Sequence, residues 1–230
     1  MQAAIFFSLL VLSASFLTAP ASAMSMVRSN ETLILFGGVE PSDAELFRKN
    51  LEKGPVKHVL LSESPGGDMG AAFAIAGLIK ENKINTIVRG NCYSSCAIIF
   101  MAGVERQMLA GKALPQTRLG FHGPHQKQTK EVLKAAIPQL REWLLKVTNG
   151  KFPQEILDRA MYINRAGDML LFYYPNQSRF GDIRFCTEGS LRCDNIEGYD
   201  IVSIGILTTA DLVDVNSLSQ PAAPVSKAQE

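Results

Sequence analysis

Short apolar runs alternate with stretches of helical spacing through most of this chain. Thr32-Leu33-Ile34-Leu35-Phe36 is a compact apolar run ending at Gly37-Gly38, which predicts a strand. Pro41-Ser42-Asp43 then opens a helix, with Leu46, Phe47 and Leu51 on one face and Gly54-Pro55 as its stop. Val56 to Leu61 predicts a second strand. Its second half, Val59-Leu60-Leu61, is continuously apolar, as expected of a strand covered on both faces. Ser64-Pro65-Gly66-Gly67 is a tight turn, and Ala71 to Ile79 a small-residue helix closed by Lys80-Glu81-Asn82-Lys83.

The same grammar repeats. Ile84 to Val88 predicts a strand, Gly90 to Ser94 a turn, and Cys96 to Met101 an apolar helix ending near Gly103. Arg118 to Phe121 is a further short strand leading to His122. Strand–helix alternation of this kind predicts an α/β fold with parallel strands and right-handed crossovers. Lys130 to Val147 is amphipathic, with Val132, Leu133, Ala136, Leu140, Trp143, Leu144 and Val147 on one side, and Pro138 should kink or split it. Phe152 to Ile163 is another helix with Pro153 in its first turn. From Asn216 the chain turns to Ser, Gln, Pro and Ala without periodicity, so 216–230 is expected to be a disordered tail. No internal repeat of fixed period is present.

Composition narrows the class. The chain has 230 residues, 47% hydrophobic and 20% charged, enough for one core of good size, which the patterning places over 24–215. A net charge of +1, a single Trp and no basic run argue against a nucleic-acid partner. Residues 3–20 carry no charge and end just before Ala21-Ser22-Ala23, so 1–23 is expected to be a cleaved signal peptide; an uncleaved membrane anchor is the alternative. Either places the rest outside the cytoplasm, periplasmic or secreted.

The four cysteines form two close pairs, and an even count in an exported chain favours disulfides. Cys186 and Cys193 flank Thr-Glu-Gly-Ser-Leu-Arg, a hairpin-like turn that would bring them together. Cys92 and Cys96 are the second candidate pair, less well set, because two helical residues at that spacing do not aim their Cβ vectors at each other. Neither pair has C-x-x-C spacing, so zinc is disfavoured, and no metal or cofactor site is expected.

Three turns carry candidate chemistry. Gly66-Gly67 lets backbone N–H groups approach an oxygen closely, as an oxyanion hole requires. Ser94 enters a helix from a sharp turn, a place for a nucleophile or for a simple N-cap. His122 ends a strand ahead of Gly123-Pro124, where a neutral imidazole can act as a base. His125 follows three residues later, a poor metal pair without an acidic neighbour, and His58 at a strand start reads as structural.

In order and spacing, Val59 to Pro124 resembles the proteolytic subunit of the Clp protease, within the ClpP/crotonase superfamily. The resemblance implies a spiral of ββα units with a mostly parallel sheet and a homo-oligomer. It implies Ser94 as nucleophile, His122 as base, and Gly67 and Ser95 as oxyanion donors. The Cys92-x-Ser94-x-Cys96 form is similar to exported relatives of that fold. The family orients its His with an Asp at a helix end; the matching position here is Asn164, with Asp168 four residues on as the alternative and a dyad lacking any third member as another. The expected activity is that of an exported serine hydrolase acting on peptides or unfolded proteins. Its competitors are a non-catalytic binding or assembly module, a crotonase-like acyl-thioester enzyme, and a site using Cys96 as nucleophile. No Walker pattern that would supply an ATP-driven motor is present.

Overall fold

The structure, a computed structural model, describes residues 23–219 except 112, 127, 178–180 and 189–192. The leader expected over 1–23 therefore lies outside the described residues up to 22, as does the expected tail from 220 onward. Among the described residues no helix is long and apolar enough to cross a membrane.

Among the described residues nine strands form one sheet. In chain order the elements are β1 (Ser25–Ser29), β2 (Thr32–Phe36), α1 (Asp43–Glu52), β3 (His58–Ser64), α2 (Met69–Glu81), β4 (Asn85–Tyr93) and α3 (Ser95–Met101). Next come β5 (Arg106–Met108), β6 (Arg118–Phe121), α4 (Ile137–Val147), α5 (Gln154–Met161) and β7 (Met169–Tyr173). The chain closes with β8 (Ile183–Cys186), β9 (Cys193–Asn195) and the short α6 (Val215–Ser219). The spatial order is β1-β2-β3-β4-β6-β7-β8-β9, with β5 also on β4. The centre of the sheet is parallel: β2 with β3, β3 with β4, and β4 with both β5 and β6. Antiparallel strands extend both edges, β1 on β2 and then β7, β8 and β9 beyond β6. Of these, β7 is a continuous apolar run, Met169-Leu170-Leu171-Phe172-Tyr173, whereas β1, β8 and β9 carry polar or charged residues that hide them in the apolar pattern.

The apolar runs predicted as covered strands are covered. Val59, Leu61, Ile87 and Val88 have no exposed surface. One face carries the main core against α1, α2 and α3, with Phe47, Ile75, Ile79, Ile99 and Phe100 fully buried. The other face holds a smaller cluster of Leu60, Ile87, Leu109 and Leu218. Leu218 comes from α6, so Val215–Ser219 runs across the boundary expected at 216: one buried leucine docks the segment despite its polar composition. Helix α3 is buried along its whole length, and Thr86 Oγ1 of β4 donates to Phe100 O at 2.6 Å near its C-terminal end.

The helix expected over 130–147 forms only from Ile137. Pro138 sits in its first turn, where a missing N–H costs nothing, and its ring would clash with the carbonyl four residues back in a longer helix. Lys134–Ala136 is instead a 3-10 turn, and Val132 bridges antiparallel to His125. Phe121, Phe152 and Phe172 pack edge to face with centroids 5.5 to 6.3 Å apart. Phe172→Ala should cost about 3–5 kcal/mol through the cavity it leaves. Urea denaturation of the variant checks this, and a loss under about 1 kcal/mol contradicts the packing described.

Candidate active site

Strand β4 builds the site by changing neighbours halfway along. Thr86, Ile87 and Val88 pair with β5, whereas Asn91, Cys92 and Tyr93 pair with β6. Between them Gly90 has φ 68°, and the β3 ladder slips at Glu63, whose φ is 45°. The positive φ favours glycine there, and a Cβ would also push the Glu63 carboxylate aside, since it would lie 1.8 Å from Oε1. Thr117 Oγ1 accepts from Gly90 N at 3.0 Å. The turn expected from Gly90 to Ser94 is thus a kink in a strand that runs on to Tyr93, because β6 supplies fresh ladder partners.

Ser94 follows at the N-cap position of α3 with φ 55° and ψ −122°. A side chain rarely adopts this conformation, at a cost of order 1–3 kcal/mol, and it persists only where its surroundings over-determine it. Here Ser94 N donates to Gly120 O at 2.8 Å and Ile98 N donates to Ser94 O at 3.3 Å. The backbone of Gly66 packs directly on the elbow: a Cβ at Gly66 would fall 2.7 Å from Ser94 Cβ and 2.5 Å from Tyr93 O. Ser94 makes no side-chain capping bond, so its hydroxyl is not consumed by the helix it precedes.

The Gly66-Gly67 turn is held from its other side. Val39 N donates to Gly66 O at 2.9 Å and Asp68 N donates to Val39 O at 2.8 Å. Ser95 Oγ donates to Gly67 O at 2.8 Å, tying this turn to the Ser94 elbow. The Ser95 amide lies in the first turn of α3, where N–H groups have no acceptor within the helix. Gly67, Ser94, Ser95 and His122 all line one cavity of about 810 Å³ with Ile98, Phe121, Leu140, Leu144 and Met161 among its apolar walls. The two expected oxyanion donors, the expected nucleophile and the expected base are therefore brought together.

His122 is buried, and its Nδ1 lies 2.8 Å from Gly123 O. The tautomer that donates from Nδ1 to this carbonyl leaves Nε2 as an acceptor. Burial pulls the imidazole down to about 4, against the opposing pull of the Gly123 carbonyl, with the nearby His125 adding a smaller lowering. The His125 ring lies 4.9 Å from that of His122, lines the same cavity, and its buried Nδ1 has no hydrogen-bond partner among the described residues. Its spacing gave only a weak metal signal, and no group of three potential ligands forms among the described residues.

Neither residue expected to orient His122 does so. Asp168 is buried, but Oδ2 accepts from Asn164 N at 3.2 Å and Arg165 N at 3.1 Å, and Oδ1 accepts from Glu188 N at 2.9 Å. Its carboxylate stitches the turn after α5 to the segment past β8. Asn164 is exposed and contributes its backbone N–H to that turn. Because α5 ends at Met161, both residues fall in a loop that closes on itself. The partner of His122 Nδ1 is a backbone carbonyl.

Both cysteine pairs are disulfides. Cys186 and Cys193 face each other across the antiparallel β8–β9 pair, and the turn residues 189–192 lie outside the described residues. The Cys92–Cys96 bridge also forms, because the two residues are not both helical: Cys92 is in β4 and Cys96 in α3, with Cα atoms 5.3 Å apart. Cys96 is thereby removed as a candidate nucleophile.

A family model described as Clp protease matches residues 23–149, more than half of the chain. No curated protein sequence matches. Among solved structures, ClpP1 from Listeria monocytogenes superposes with a TM-score of 0.52 at 16% identity, over 83% of this chain and 95% of that one. A point mutant of the same Listeria protein, with an asparagine changed to aspartate, gives the same figures. A serine-to-alanine mutant of 1510-N, a membrane-bound stomatin-specific protease, superposes with a TM-score of 0.50 at 12% identity over 84% of each chain. At these identities the likeness is one of fold.

Two outcomes follow from the geometry. His122 should titrate by NMR near 4 rather than near 6.5. The unfolded chain then binds the extra proton first, so this residue's stabilisation is complete above 6.5 and is lost as pH falls from 6.5 towards 4. Gly66→Ala should displace the Ser94 elbow while leaving the distant β7–β8–β9 ladder intact, which amide exchange would show as selective loss of protection in α3.

Proposed function

The chain belongs to the Clp protease family, and from that premise we propose that it is an exported serine peptidase working with a Ser94–His122 dyad. The observation that carries this is the Ser94 elbow: a serine held at positive φ, with no capping bond, opening the same cavity as a buried imidazole. His122 Nε2 takes the Ser94 Oγ proton as Oγ attacks the carbonyl carbon of a bound peptide. The Gly67 and Ser95 N–H groups hold the oxygen as it gains charge. His122 then passes the proton to the leaving amine, and a water molecule hydrolyses the acyl-enzyme by the same steps in reverse order.

The apolar walls suit a segment of unfolded polypeptide that excludes water from the reacting carbonyl. Two disulfides fit an oxidising compartment and support export to the periplasm or beyond. Family membership also supports a homo-oligomer. A second role, a catalytically weak or inactive binding module, is favoured by one observation: the acceptor for His122 Nδ1 is an uncharged carbonyl, which stabilises imidazolium less than a carboxylate does.

A fluorophosphonate probe decides between them. Wild-type protein should be labelled on Ser94, and Ser94→Ala should lose the label entirely while keeping its fold. Labelling of Ser94→Ala at the wild-type rate rejects the peptidase, and an unlabelled wild type supports the binding module. His122→Ala should slow labelling by about 100-fold or more, the usual scale of a general base.

A further inference from the structure

Ser94 is bracketed by a covalent bond. Cys92 is near the end of β4, two residues before it, and Cys96 is in the first turn of α3, two residues after it. Both cysteines are fully buried. The bridge closes a five-residue ring whose middle member is the one residue of the ring at positive φ. We propose that the Cys92–Cys96 disulfide positions the nucleophile, so that the peptidase reaches full activity in its oxidised form. This rests on Ser94 being the nucleophile, as argued above.

The other restraints on the elbow explain why a bond is needed there. Thr86 pins the C-terminal end of α3 to β4 through Phe100 O. At the N-terminal end the contacts are single hydrogen bonds, Ser94 N to Gly120 O and Ser95 Oγ to Gly67 O, together with the packing of Gly66. A strained conformation relaxes wherever its surroundings permit. With the bridge open, Ser94 can rotate its backbone toward an ordinary N-cap geometry and turn its hydroxyl onto the free amides of α3. The amides in reach of an N-cap hydroxyl are those of Cys96 and Ala97, so relaxation would consume the nucleophile's hydroxyl and move it away from the Ser95 amide that would serve the oxyanion. Cys186–Cys193 has no such position: it ties β8 to β9 at the far edge of the sheet.

The redox step is ordinary thiol–disulfide exchange. Closing the bridge removes two electrons and two protons from the Cys92 and Cys96 thiols. A disulfide oxidant accepts them and leaves as a dithiol. A dithiol reductant reverses the step, breaking the S–S bond and restoring both thiols. A chain still in a reducing compartment would then carry its Ser–His pair in an uncommitted geometry, and export would switch the site on.

The test uses the full chain and its Cys186→Ala/Cys193→Ala variant, in which Cys92–Cys96 is the remaining cysteine pair. Protein is equilibrated in dithiol/disulfide mixtures and the bridge is followed by mass spectrometry. Fluorophosphonate labelling of Ser94 and turnover of an activated ester are measured on the same samples. Opening the bridge should lower kcat and the labelling rate by about tenfold to a hundredfold, the scale of a released backbone strain. KM should stay constant, far-UV circular dichroism should stay native, and reoxidation should restore the rate. Cys92→Ala/Cys96→Ala should show the same low kcat with no response to redox mixtures. Equal labelling of oxidised and reduced protein overturns the positioning role and leaves the peptidase standing. An oxidised wild type that never labels overturns both. Loss of native circular dichroism in both the reduced protein and Cys92→Ala/Cys96→Ala makes the bridge a staple of the fold and overturns the proposal.

Discussion

The parallel pairing of β4 with β3 on one side and β6 on the other is the constraint on which the site depends. Cys92 is level with Ser64 of β3 and with Leu119 of β6. The turns after these three strands therefore leave the sheet at one end and at one height. That is why Gly66 reaches the Ser94 elbow and why Ser94 N finds the Gly120 carbonyl. The pairing also requires β4 to exchange β5 for β6 midway, and the kink at Gly90 makes the exchange. Ligand sites beyond the carboxyl ends of parallel strands are general in α/β folds. Here the local reason is a strand long enough to serve two neighbours in succession.

Burial sets the electrostatics of that end of the sheet. His122 is buried next in the chain to Phe121, and the loop after it runs so close to α5 that a Cβ on Gly123 would lie 2.0 Å from Met161 O. An imidazole in such a place resists protonation, and a backbone carbonyl offsets that only in part. The His122 imidazole is thus neutral at ordinary pH, with Nε2 free to act as an acceptor once Nδ1 donates to Gly123 O. In the acyl transfer proposed above, the Gly67 and Ser95 N–H groups would be the fixed dipoles that meet charge on the carbonyl oxygen. Tight placement of Ser94, Gly67 and Ser95 matters more in this arrangement than in one where a carboxylate shares the load.

Much of this was legible in the residues. Ser64-Pro65-Gly66-Gly67, Ser94 and His122 stand out because each needs local chemistry that other residues cannot supply: two adjacent glycines at positive φ, a small hydroxyl at a turn, an imidazole before Gly-Pro. The covered strands, α1, α2 and the break at Pro138 follow from apolar spacing and from the missing N–H of proline. The cysteine pairing was legible as a count, with the hairpin pair clearer than the elbow pair. What misled was the assumption that Cys92 is helical, which depended on where β4 ends, and β4 ends where it does because of β6.

The acceptor for His122 was the other point that the linear order of residues could not supply. Asn164 and Asp168 stand at the right distance along the chain, yet Asp168 spends both carboxylate oxygens on backbone N–H groups of its own loop and of Glu188. The sequence by itself determined which groups could do chemistry and the order in which strands would present them, since both depend on residue type and on patterns within a few turns of chain. Only the tertiary structure decided which of those groups meet, that Gly123 O rather than a carboxylate faces His122, and that a disulfide closes around Ser94. Those outcomes rest on the register of distant strands and on competition among hydrogen-bond partners, neither of which is written in local sequence.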